Sequence, residues 1–204
     1  MRERLVAATT NPGKLREIRE LLGDIAIDLV ALDELPGVPP PDEDGDSFEA
    51  NARLKAIYYA RHTPDLTVAE DSGLVIDALD GAPGIHSARY LGEAATYQER
   101  FSEIYRRLDR LPQAGRRARF VCALAVAQRD RILFETTQTI EGEIAAAPAG
   151  ADGFGYDPIF LYPPYGRTLA QVTRQEKLAV AHRGKAFRIL ANWLATHRVG
   201  EGGG

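Results

Sequence analysis

The sequence predicts an α/β protein built on a mixed sheet flanked by helices. Three observations carry that expectation. Short apolar runs bounded by turn residues alternate with amphipathic segments through the first part of the chain, the pattern of strands joined by helices. Later, two long apolar runs follow one another across Arg129-Asp130 with no helix between them, which reads as a hairpin. The 204 residues, 45% of them hydrophobic, suit one α/β domain, or two lobes sharing a single sheet, with a sizeable core.

Residues 5–8 read as the first strand. Asn11-Pro12 then has the form of a helix N-cap followed by proline at the first helical position. Leu15, Ile18 and Leu22 lie on one face of that helix, and Gly23 ends it. Residues 25–32 alternate as a second strand. The stretch 33–46 holds three consecutive prolines and six acids and reads as a loop, because proline blocks both the helix and the ladder. Ser47 caps a second helix reaching about residue 62, with Phe48, Ala52 and Tyr59 among its core positions. Residues 66–69 form a strand that delivers Glu70-Asp71 to a turn at Ser72-Gly73, and residues 74–79 form another. Gly81-Ala82-Pro83-Gly84 is a tight turn. A helix over 97–111, strands over 119–128 and 132–144, a short strand closed by Phe160, and a last helix over 183–197 follow. Phe187, Leu190 and Leu194 share one face of that last helix. With no repeat or linker, the expectation is one domain over 1–199 and a disordered glycine-rich tail, 200–204.

A charged fraction of 26% and a net charge of −4 argue against a non-specific nucleic-acid binder, which would show a basic face. Cys122 is the sole cysteine, so no internal disulfide forms; inside an apolar run it reads as a core residue. Met1-Arg2-Glu3-Arg4 runs directly into a short strand, so neither a signal peptide nor a membrane span is expected, and the cytoplasm is the expected compartment.

Four constellations could carry chemistry. Glu70-Asp71, at the end of an apolar run, could grip Mg²⁺ or activate a water, or could be two solvated acids at an ordinary strand end. Thr9-Thr10-Asn11-Pro12-Gly13-Lys14 joins a strand to a helix start, where free backbone N–H groups and Lys14 would attract an anion; a plain helix cap is the alternative. It is not a Walker A loop, since Ala8 stands where the first glycine would be and no hydroxyl residue follows Lys14. Phe154-Gly155-Tyr156-Asp157 lets backbone approach a flat ligand on which Phe154 could stack, or is a turn with an aromatic plug. Lys177, His182, Arg183 and Lys185 around the last helix start suit phosphate or purine recognition, or form a solvated basic face. Together the groups describe one nucleotide site at strand ends and helix starts.

The runs Ala8-Thr9-Thr10-Asn11-Pro12-Gly13-Lys14, Ser47-Phe48-Glu49-Ala50-Asn51-Ala52 with Lys55, and Ala69-Glu70-Asp71-Ser72-Gly73-Leu74 come in a fixed order. They continue with residues 81–90 (GAPGIHSARY), residues 153–160 (GFGYDPIF), and Glu176-Lys177 with His182-Arg183-Gly184-Lys185-Ala186. This series, covering all but the glycine tail, resembles the inosine/xanthosine triphosphate pyrophosphatases. The resemblance implies an elongated two-lobed fold with a central mixed sheet and a nucleotide cleft between lobes, usually a homodimer. It implies Mg²⁺-dependent hydrolysis of the α–β bond of ITP, dITP and XTP to the monophosphate and pyrophosphate. Carried over by motif, Thr9, Thr10, Asn11, Pro12, Gly13, Lys14 and Lys55 would hold the triphosphate, and Ser72 would contact substrate. Asp71 would be general base and metal ligand, with Glu70 and Glu43 as further metal candidates. Phe154, Gly155, Tyr156 and Asp157 would enclose the base, and Lys177, His182 and Arg183 would read its 6-oxo edge. Thr10, Glu70, Ala50 and Ala181 depart from the commoner family residues, which are glycine, aspartate, an acid and serine.

Such a reaction must neutralise phosphate charge and hold a water in line, and a donor to a 6-oxo group would disfavour adenine. A pyrophosphatase for other modified nucleotides, a nucleotide sensor without turnover, and a structural interaction module are the rival readings.

Overall fold

A computed structural model describes residues 3–23, 25–35 and 37–197. It contains seven strands, β1 (Glu3–Ala7), β2 (Ile27–Ala31), β3 (Leu66–Ile76), β4 (Arg117–Gln128), β5 (Arg131–Ile144), β6 (Phe160–Tyr162) and β7 (Arg167–Thr168). The helices are α1 (Pro12–Leu21), α2 (Phe48–Ala60), α3 (Tyr97–Leu108), α4 (Arg174–Val180) and α5 (His182–Thr196). One sheet runs in the order β2-β1-β3-β4-β5-β6-β7. It is mixed, as expected: β1 lies parallel to β2 and β3, while β6 is antiparallel to β5 and β7.

The chain divides into two compact units. The first comprises the described residues of Met1–Asp71, Ala123–Gln138 and Arg183–Gly204; the second is Ser72–Cys122 with Thr139–His182. In the first unit Ala52, Ala56 and Ala60 of α2 recur every four residues and bury against Ala8, Ala69, Ala123, Ala125 and Ala127. Side chains this small let a helix lie close to the strands. The neighbouring stripe of α2 is buried too, but carries Asn51, Lys55 and Tyr59. In the second unit Phe101, Ile104 and Leu108 of α3 pack with Leu74, Ile76, Ile140, Phe160 and Leu169, and Thr96 and Glu99 close a reciprocal capping box at the helix start.

Several sequence expectations need correction. The acid pair does not sit at a turn: β3 continues unbroken through Glu70-Asp71-Ser72-Gly73. Ser72 and Gly73 look like turn residues locally, but cations from other elements neutralise the acids and allow the strand to stay buried. Helix α3 stops at Leu108, three residues before the expected end, and Phe160 opens β6 rather than closing a strand. Lys177 belongs to a helix of its own, α4, capped by Thr173 with Glu176, not to the approach of the last helix. Cys122 is fully buried, as expected. No helix among the described residues is long and apolar enough to cross a membrane. The expectation for 200–204 lies outside the described residues.

Candidate active site

Asp71 is the centre of the first unit's polar cluster. It sits in mid-strand, 6% exposed, and meets two residues one turn apart on α2. Asn51 Nδ2 donates to its Oδ2 at 3.1 Å, and Lys55 Nζ lies 3.3 Å from its Oδ1. The same ammonium lies 3.1 Å from Glu43 Oε1, from the acidic loop. Burial pushes the Asp71 carboxyl up from its ordinary value against the opposing pull of Lys55 and Lys14. A carboxylate tuned upward but still facing cations is suited to accept a proton.

Glu70, the adjacent acid, points into a different network. Arg183 Nε donates to both its oxygens, at 3.0 and 2.8 Å, and Lys14 Nζ lies 3.1 Å away. Arg183 also donates through Nη1 to Glu17 Oε2 at 2.6 Å. Adjacent residues of a strand point to opposite faces, so two acids in sequence serve two clusters.

The start of α1 is more self-contained than its sequence implied. Asn11 Oδ1 accepts the Gly13 and Lys14 N–H groups at 2.9 and 3.1 Å, and Thr9 Oγ1 accepts the Asn11 N–H at 3.2 Å. Two of the N–H groups expected to meet an anion are thus capped by the loop itself. Pro12 has no N–H to offer, Thr10 is exposed, and the full charge comes from Lys14.

A hard divalent cation fits part of this cluster. Asp71 and Glu43 share one ammonium, a carboxylate pair of the sort that holds Mg²⁺ together with substrate phosphates. Glu70 fits less well, with both oxygens already accepting from Arg183. Among the described residues no group of three His, Cys, Asp or Glu gathers to hold a metal.

In the second unit the loop before β6 folds around Asp157, which is 3% exposed. Its Oδ2 accepts from the Phe154 N–H at 2.8 Å and from Lys177 Nζ at 2.7 Å. The same ammonium stands 4.5 Å from the centre of the Phe154 ring. Gly153 has φ +77°, and a Cβ there would lie 2.2 Å from Asp157 Oδ2, so the loop requires glycine on both counts. His182 stacks on Phe120 with ring centres 4.9 Å apart. Tyr156 turns inward, against expectation for a base-facing residue: it is 4% exposed, crosses Tyr97 edge-on, and donates to the Ser87 carbonyl at 2.9 Å. Its apolar ring fills the core while its hydroxyl finds a partner.

This geometry can be set beside known proteins. The sequence model of the Ham1 family matches residues 5–193. The chain belongs to the Ham1 family. It is 45% identical over 197 residues to the dITP/XTP pyrophosphatase of Yersinia pseudotuberculosis, covering 94% of this chain and 98% of that protein. It is 43% identical over 194 residues to the dITP/XTP pyrophosphatase of Escherichia coli K12, with the same two coverages. The HAM1 protein of Coxiella burnetii superimposes with a TM-score of 0.89 at 40% identity, covering 95% of this chain and 99% of that one.

In this Ham1 family chain, ion pairs in the first unit join Lys14 and Arg183 to Glu70, and Lys55 to Glu43 and Asp71. Phe154, Asp157 and Lys177 meet in the second. Gly155, with φ +65°, shapes the same loop, and half-buried Ser72 follows Asp71 on β3. Sequence reasoning missed Glu17 and assigned Asn51 no role. Their signals were present: Glu17 lies three residues after Lys14 and Asn51 four before Lys55, so each shares a helix face with a cation already singled out.

Proposed function

We propose that this chain hydrolyses the α–β phosphoanhydride bond of deaminated purine nucleoside triphosphates, ITP, dITP and XTP, releasing the monophosphate and pyrophosphate. The observation that carries the reading is Asp71, a buried carboxylate facing Lys55 and Asn51, with the Lys14-bearing loop in the same unit. The names of the relatives, dITP/XTP pyrophosphatases alike over most of the chain, support it.

In this mechanism Asp71 takes a proton from water as the water oxygen bonds to phosphorus. The P–O bond to the leaving group breaks, and pyrophosphate departs against Lys14 and Lys55. Asp71 and Glu43 would hold Mg²⁺, which would supply neutralisation of phosphate charge. The residues of the capped loop, Thr9, Thr10, Asn11, Pro12 and Gly13, line the approach of the phosphates, and Ser72 contacts substrate. Base recognition belongs to Phe154, Gly155 and Asp157, with Lys177 and His182 as donors to the 6-oxo edge. Arg183, which our sequence reading gave to that edge, also secures Glu70 and Glu17, so replacing it would mix selectivity with damage to the acid strand. We read the working form as a cytoplasmic homodimer with nucleotide substrates and no nucleic-acid or membrane partner.

The test is hydrolysis of ITP, XTP, GTP and ATP with Mg²⁺, phosphate being detected with and without added inorganic pyrophosphatase. The expected result is phosphate from ITP and XTP only when the coupling enzyme is present. Phosphate without it would mean cleavage at the γ position and would overturn the mechanism. No turnover on any of the four would remove the pyrophosphatase reading.

A further inference from the structure

Asn51 is fully buried on α2 and both ends of its amide are engaged. Oδ1 accepts the Gly45 N–H at 2.9 Å, and Nδ2 donates to Asp71 Oδ2 at 3.1 Å. The orientation follows from chemistry: a backbone N–H can only donate, so the oxygen must face Gly45, and the NH₂ that remains faces a carboxylate. Gly45 lies two residues after Glu43, in the acidic loop. The fit is close on the loop side, since a Cβ at Gly45 would lie 2.5 Å from Asn51 Oδ1 and 3.0 Å from Ala50 Cβ. Glu43 and Asp71 also share Lys55 Nζ, one turn along α2 from Asn51. The loop acid and the strand acid are thus fixed by two successive inward residues of one helix.

We propose that Asn51 is a positioning residue for the reaction. Its amide holds the acidic loop and Asp71 in one arrangement, so that Glu43 and Asp71 keep the spacing at which they share a cation. The role depends on the amide being donor at one end and acceptor at the other, which no other side chain of this size supplies except by losing one end. The proposal rests on the pyrophosphatase reading for its kinetic consequence, but not for its structural one.

Two substitutions separate the ends. Asn51→Asp keeps an acceptor for Gly45 and replaces the donor to Asp71 with a second carboxylate. Gly45→Ala disturbs the loop end and leaves the donor in place. Backbone hydrogen exchange over residues 43–46 and steady-state kinetics on dITP are measured for each, with circular dichroism to establish folding. For Asn51→Asp, exchange within about twofold of wild type is expected, with kcat reduced at least about tenfold and KM changed by less than about threefold, the scale of one hydrogen bond to a charged group. For Gly45→Ala, exchange should rise about tenfold or more and kcat should fall. A merely structural asparagine would instead give variants whose kcat follows the folded fraction. Wild-type turnover in Asn51→Asp, or unchanged exchange in Gly45→Ala, would overturn the proposal. The two readings fail differently. An inactive wild type with the exchange difference intact removes the pyrophosphatase reading and leaves the tie standing; unchanged exchange in an active enzyme does the reverse.

Discussion

At the scale of single residues, Asp71 is set apart by what surrounds it. Burial alone would neutralise the carboxyl, and Lys55 and Lys14 alone would make it a weak base; together they leave it raised but paired. Asp71→Asn keeps size and hydrogen-bonding capacity while removing the proton acceptor. Turnover of dITP should fall at least about 100-fold, the scale of general-base loss, with binding of the nucleotide to the variant retained by calorimetry. Wild-type turnover would remove Asp71 as the base. Lys14, Lys55 and Asp71 were legible from sequence because each lies in a compact motif. The partnership of Arg183 with Glu70 and Glu17 was not, because it joins residues 113 and 166 positions apart. No local pattern contains such a pair, and a basic helix start reads equally well as a phosphate site or a solvated face.

At the scale of elements, capping and periodicity were readable and strand continuity was not. Asn11 and Ser47 carry their own signals and their helices begin beside them, while the apolar face at Phe187, Leu190 and Leu194 lies within α5. The long β3 was misread because Ser72-Gly73 after two acids is a turn signature whenever the acids must stay in water. Ion pairs from α1, α2 and α5 remove that requirement. The loop before β6 shows the converse, a glycine whose role only packing reveals. Gly153→Ala would need a side chain at φ +77° and would drive a Cβ into Asp157 Oδ2. The carboxylate would leave the Phe154 N–H and Lys177. We expect a stability loss of at least about 1 kcal/mol from the backbone conformation alone, read by urea titration, and an ITP-to-ATP preference reduced about tenfold. An unchanged preference would separate the Asp157–Lys177 pair from base recognition.

At the scale of the whole molecule, composition bounded the outcome without naming it. A chain of this length and apolar content suits one α/β domain, and the order of motifs led to the family, but the partition into two units passes through β3, β4 and β5, where no linker composition marks it. Global stability carries one further signature that follows from burial. Tyr59, Tyr105 and Tyr156 are all raised above the usual tyrosine value of 10.0, each chiefly by desolvation. A tyrosine with a higher pKa folded than unfolded contributes stability that is fully present below the unfolded value. That contribution is lost as pH rises from about 10 toward the folded value, because the unfolded chain releases the proton first. For Tyr156, the largest of the three shifts, the loss should approach about 1.4 kcal/mol per pH unit in that window. Tyr156 is the strongest case, being buried against Tyr97 and Phe101 with its hydroxyl on the Ser87 carbonyl. Tyr156→Phe should lose about 1 kcal/mol near pH 8 through that hydrogen bond, and should then lose stability less steeply than wild type between pH 10 and 11. Urea midpoints followed by far-ultraviolet circular dichroism at pH 8, 10 and 11 measure both slopes. Parallel slopes for the two proteins would mean that Tyr156 titrates alike folded and unfolded, and that its burial does not govern the alkaline limit of the fold.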